Sequence, residues 1–118
     1  MTMLQWLFGQ PVTDEQIITA IDPWTLACAV GAENGSIGVR MGFKHWLGRS
    51  RDNWMPAVKK KCPGASQRRI ENVLRQFVRT HCDKSYGLVM QEQETIRGQE
   101  HGLVIGPGES VTMTVAPR

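Results

Sequence analysis

Positive charge is missing from the first third of this chain. Residues 1 to 39 contain no Lys or Arg but carry Asp14, Glu15, Asp22 and Glu33, so any contact with a polyanion falls to the rest of the sequence. Cysteine is scarce too. Cys28, Cys62 and Cys82 are odd in number and have no CxxC spacing, which argues against a disulfide framework and for a reducing, cytoplasmic setting. No apolar run comes near the ~20 residues of a membrane span. The opening MTMLQWLFGQP lacks the basic n-region and long apolar h-region of a signal peptide, so a soluble protein is expected. Glycines are plentiful, but none falls in GxxxxGK[ST] or GxGxxG, the patterns that cradle nucleotide phosphates. Internal repeats and low-complexity tracts are absent.

What is present is a block of basic charge. Residues 40 to 84 hold twelve Lys and Arg against Asp52, Glu71 and Asp83, a net of +9 in a chain whose formal charge is +3. Such a block repels itself unless it is solvated or neutralised, and a polyanion gains most from it through counterion release. With 118 residues and 41% hydrophobic composition, the whole chain, 1–118, is expected to fold as a single domain.

Taken in order, Trp6, Leu7 and Phe8 form an apolar N-terminal arm (1–10) suited to packing on the core or to joining two copies of the chain into a homo-oligomer. Thr13-Asp-Glu-Gln16 is a capping-box pattern, predicting a short helix over about 14–21. Asp22-Pro23 restarts the chain as N-cap and first helical residue, and the apolar run from Trp24 to Val30 predicts a second, buried helix ending near Ala32, before Asn34-Gly35. In Ser36 to Trp46, Ile37, Val39, Met41 and Phe43 alternate with Gly38, Arg40, Gly42 and Lys44. This favours a strand or irregular structure over a helix, which the glycines disfavour. Gly48 to Asn53 has loop composition, and Arg49 and Arg51 on it are placed to wrap a phosphate backbone. Trp54 to Lys61 reads as a short helix with Pro56 in its first turn and Lys59, Lys60 and Lys61 at the end that favours cations.

The stretch from Ser66 to Cys82 (66–82) carries the clearest signal. Ile70, Val73, Leu74, Phe77 and Val78 recur at helical spacing on one face, while Arg68, Asn72, Arg75 and Arg79 line another. After Asp83 the composition turns neutral to acidic. Residues 86–99 are open between a strand over Tyr86 to Met90 and a short helix. Gly102 to Ile105, Gly106-Pro-Gly-Glu109 and Ser110 to Val115 read as a β-hairpin (about 102–115). The expected fold class is therefore α+β, helices first and a hairpin last.

A short helix, a glycine-containing turn and an amphipathic helix is the order of a helix-turn-helix, whose second helix enters the major groove. On that reading Ser66, Gln67, Arg68, Arg69 and Asn72 face base edges, and Arg75, Arg79 and Lys59 to Lys61 hold phosphates. Lys59, Lys60 and Pro63 stand where that motif normally has small or apolar residues. The likeness is to the general motif and to no particular family. Phe43, His45, Trp46 and Trp54 lie among the cations, an arrangement that suits base stacking, although tryptophans in a small domain are more often core. His45, Cys62, His81 and Cys82 match no zinc finger or ribbon spacing, and no catalytic pattern is recognisable, so neither a cofactor nor an enzyme is expected. The expected function is a non-enzymatic regulator or accessory protein that binds DNA or RNA through residues 40–84. The alternative is an interaction module, a small inhibitor or assembly subunit, docking its basic face on an acidic protein.

Overall fold

A computed structural model describes residues 11–100. The order is α1 (Asp14–Ala20), α2 (Pro23–Asn34), α3 (Phe43–Lys61), α4 (Gln67–His81) and α5 (Tyr86–Glu100). The described residues are all-α, which corrects the α+β expectation. The hairpin at 102–115 and the arm at 1–10 lie outside the described residues.

Local rules set the starts of α1, α2 and α4. Thr13 and Gln16 cap each other's backbone, Gln16 N donating to Thr13 Oγ1 at 3.1 Å and Thr13 N to Gln16 Oε1 at 2.9 Å. Asp22 Oδ1 accepts from Thr25 N at 2.9 Å, with Pro23 in the first turn of α2. Ser66 Oγ accepts from Arg69 N at 3.1 Å to open α4.

The misread helix is α3. The apolar set Phe43, Trp46, Leu47, Trp54, Met55 and Val58 is buried at helical spacing, so residues 43–47 open a helix. Gly38 and Gly42, which weighed against a helix, sit before it at φ 105° and 85°, a backbone region that glycine enters without a Cβ penalty. They are turn residues of the segment 35–42. The supposed loop Gly48 to Asn53 is the middle of α3, where Gly48 is exposed and its cost of about 1 kcal/mol is outweighed by the apolar residues before and after it. Pro56, expected to begin a helix, lies inside one. It removes the N–H that would bond the Asp52 carbonyl, at two exposed positions where water can replace it. For α5, Ser85 supplies the cap, its Oγ accepting from Leu88 N at 3.2 Å, and Val89 and Gln93 are buried four residues apart.

The core forms around α2, which packs against α3, α4 and α5. This helix is apolar on every side: Leu26, Ala27, Ala29, Val30 and Ala32 are all fully buried. Opposite them α4 contributes Ile70, Leu74, Phe77 and Val78. The amphipathic helix that dominates the sequence is thus a flank of the core, with one face free for other work. Among the described residues, no helix is long and apolar enough to cross a membrane.

Candidate nucleic-acid interface

α3 and α4 are joined by the turn at Cys62 to Ser66 and run back along each other. Arg51 Nε pairs with Glu71 Oε2 at 2.5 Å, and the Arg75 guanidinium lies 5.4 Å from the centre of the Phe43 ring. Stepping up α4 from 71 to 75 means stepping down α3 from 51 to 43, the contact pattern of an antiparallel helical hairpin. The short first helix expected for a helix-turn-helix, 54–61, is the last part of this 19-residue α3.

All the sequence-predicted site residues but Arg75, which is half-buried over the Phe43 ring, divide into two sets. Arg51 and Arg69 are tied into the fold. The first joins α3 to α4 through Glu71, and the second reaches Asp14 of α1 at 2.8 Å. Both are only partly exposed, and their partners occupy hydrogen bonds a phosphate would need. Gln67 is exposed, but its amide is engaged along the helix, Nε2 donating to Glu71 Oε2 at 3.0 Å. The second set is open to solvent: Arg49 on α3, Lys59, Lys60 and Lys61 at its end, and Arg68, Asn72 and Arg79 on α4. Among the described residues none of these cations is paired with a carboxylate; the ion pairs there are Arg51 with Glu71, Arg69 with Asp14 and Lys84 with Glu92. Arg68 and Arg79 are eleven residues apart on one helix face, about 16 Å along the axis. Successive nucleotides of a B-form strand rise about 3.4 Å, so that distance is about five steps of a nucleic-acid backbone.

Sequence reasoning passed over Lys44. It lines a cavity of about 350 Å³ together with Glu33, Phe43, Arg75 and Arg79. Assigning 36–47 to a strand hid the relation, and no one-dimensional spacing links residue 44 to residues 75 and 79. A second cavity, about 360 Å³, opens between α1, α4 and α5; it is lined by Ile18, Val73, Phe77 and Ile96 and bordered by Asp14 and Glu15, with no Lys or Arg, which suits it poorly to an anion.

The aromatics of the basic block are core. Trp46 and Trp54 are 8% and 5% exposed, with ring centroids 6.2 Å apart, and Phe43 is equally buried, so none offers a face to a base. The exposed tryptophan is Trp24, at 58%, on the acidic third of the chain and edge-on to Tyr86. It stands in a helix the sequence read as buried.

Among the described residues no group of three or more His, Cys, Asp or Glu is placed to hold a metal ion. His81 Nδ1 lies 2.9 Å from the Phe77 carbonyl oxygen, its ring stacked on Phe77, while Cys82 Sγ points to the Arg79 carbonyl at 3.4 Å. The neighbours therefore serve different carbonyls. Cys62 is buried against α1. Burial, with Asp22 adding to it, pushes the Cys28 thiol up, which holds it in the unreactive neutral form.

No protein family, curated protein or solved structure matches the chain. The functional reading therefore rests on the residues themselves.

Proposed function

We propose that the exposed cationic face of α3 and α4 binds nucleic acid, and that the protein acts without catalysis, as a regulator or accessory factor. The observation that carries this reading is the unpaired set Lys59, Lys60, Lys61, Arg68 and Arg79. These cations stay in solvent without carboxylate partners among the described residues, while the neighbouring Arg51 and Arg69 are used to hold the helices together. Solvated cations on a rigid helix face release counterions from a polyanion at little conformational cost. Their roles follow from position. Arg68 and Asn72, exposed in the first half of α4, are the candidates for base edges, and Arg79 and the lysine triplet are the candidates for phosphates.

Alanine variants test the division. Asn72→Ala is expected to change which sequence is preferred, relaxing discrimination by about 1–3 kcal/mol at one position, while Arg79→Ala weakens binding to all sequences alike and lowers the salt slope by about 1. Gln67→Ala gives the smaller change in preference, since its amide is already bonded to Glu71. Small, equal effects from all three would remove groove reading. Tight binding to an acidic protein that survives nuclease treatment, with no affinity for nucleic acid, would replace this reading with a protein-docking one.

A further inference from the structure

The cavity at the open end of the α3–α4 hairpin, far from the connecting turn, has a charge arrangement that the rest of the basic face lacks. Lys44, Arg75 and Arg79 line it from two helices, and Glu33 lines it from α2. Glu33 is already occupied: its Oε1 accepts from Phe43 N at 2.9 Å and so caps the start of α3, where Gly42 has no side chain to do so. Three cations against one carboxylate leave the cavity with a net formal charge of +2. None of the three is in an ion pair among the described residues. Arg75 is also held in place, half-buried with its guanidinium over the Phe43 ring, so closing it on a ligand freezes little further motion. With a volume of about 350 Å³, the cavity admits a tetrahedral oxyanion with its substituent.

We propose that this cavity seats one phosphate group, clasped by Lys44, Arg75 and Arg79. The phosphate can be one link of a nucleic-acid strand lying along α4 or the phosphomonoester of a free mononucleotide; both present the oxygens that two guanidinium groups and an ammonium recognise. A strand as the source rests on the function proposed above, whereas the preference of the cavity for phosphate does not. Cys82, exposed at the cavity wall, is a built-in reporter.

The test follows the backbone amides of the full chain by NMR, at constant ionic strength in chloride, while inorganic phosphate, AMP or a short single-stranded oligonucleotide is added. Saturable shifts centred on Phe43, Lys44 and Cys82 are expected, with a dissociation constant for phosphate on the order of 1 mM. The Lys44→Ala, Arg79→Ala double variant should bind about tenfold more weakly, and Lys44→Arg should retain binding. Glu33→Gln keeps an oxygen to cap Phe43 and removes the one negative charge, so it should bind phosphate several-fold more tightly, a gain that a merely structural role for Glu33 would not produce. Alkylation of Cys82 should slow as the ligand fills the cavity. Phosphate binding without oligonucleotide binding would keep the cavity site and overturn the nucleic-acid function. Oligonucleotide binding that leaves these amides and the Lys44→Ala variant unaffected would do the reverse. An absence of saturable shifts with any probe in the wild-type chain, which needs no variant to fold, overturns the site.

Discussion

Leu74→Ala is expected to destabilise the domain by about 2–5 kcal/mol. Leu74 is fully buried on the inner face of α4, between Ile70 and Val78, in the core cluster. Truncation removes its transfer free energy and leaves a cavity in the core cluster that α4 shares with Leu26 and Val30 of α2, where close packing resists collapse. A domain of this size is stable by about 5–15 kcal/mol in all, so the variant should show a much lower urea midpoint with an unchanged slope. Val73→Ala, at a half-buried neighbour, should cost clearly less. Equal losses at the two positions would mean that α4 is not seated on the face described.

Arg97→Met costs about 1.5–3 kcal/mol and loosens α1 in particular. Arg97 reaches from the end of α5 to three main-chain carbonyls at the end of α1, donating through Nη1 to Thr19 O at 2.7 Å and through Nη2 to Ile18 O at 3.0 Å and Ile21 O at 2.6 Å. α1 has seven residues, no basic residue in its last turn and an extended Ile21 as C-cap, so it depends on this outside donor to satisfy its terminal acceptors. Methionine keeps the apolar stem and removes the charge-assisted bonds. Hydrogen exchange is the direct readout: the amides of Ile17 and Ile18 should lose more protection than those of α2. A uniform loss across the domain would instead make Arg97 an ordinary packing residue.

How legible this protein is from its sequence depends on the range of the interaction that decides each element. The starts of α1, α2 and α4 follow from Thr13, Asp22 and Ser66, each of which bonds an amide three residues on; such bonds can be read from adjacent letters. α3 was hidden because its deciding contacts are tertiary. Phe43, Trp46 and Trp54 are buried in the core cluster to which the other helices contribute, and that burial overrides the glycine and loop composition of residues 48–53. In α5 the inward face becomes polar as it goes, from Val89 to Gln93 to Arg97, so an apolar period does not reveal it. The candidate interface divides in the same way. Helical spacing was enough to place Arg68, Asn72, Arg75 and Arg79 on one stripe, whereas the loss of Arg51 and Arg69 to Glu71 and Asp14, and the arrival of Lys44 beside Arg75 and Arg79, come from packing.

The measurement that tests the central proposal most directly is the affinity of the purified chain for duplex DNA, single-stranded DNA and RNA across a salt series. The exposed cations of α3 and α4 predict a logarithm of the binding constant that falls linearly with the logarithm of salt concentration, with a slope corresponding to about four to eight neutralised phosphates. The preferred form then separates groove reading from backbone tracking. Absence of binding to all three at low salt, or an affinity indifferent to salt, would contradict the proposal and assign the basic face to a protein partner or to solvation alone.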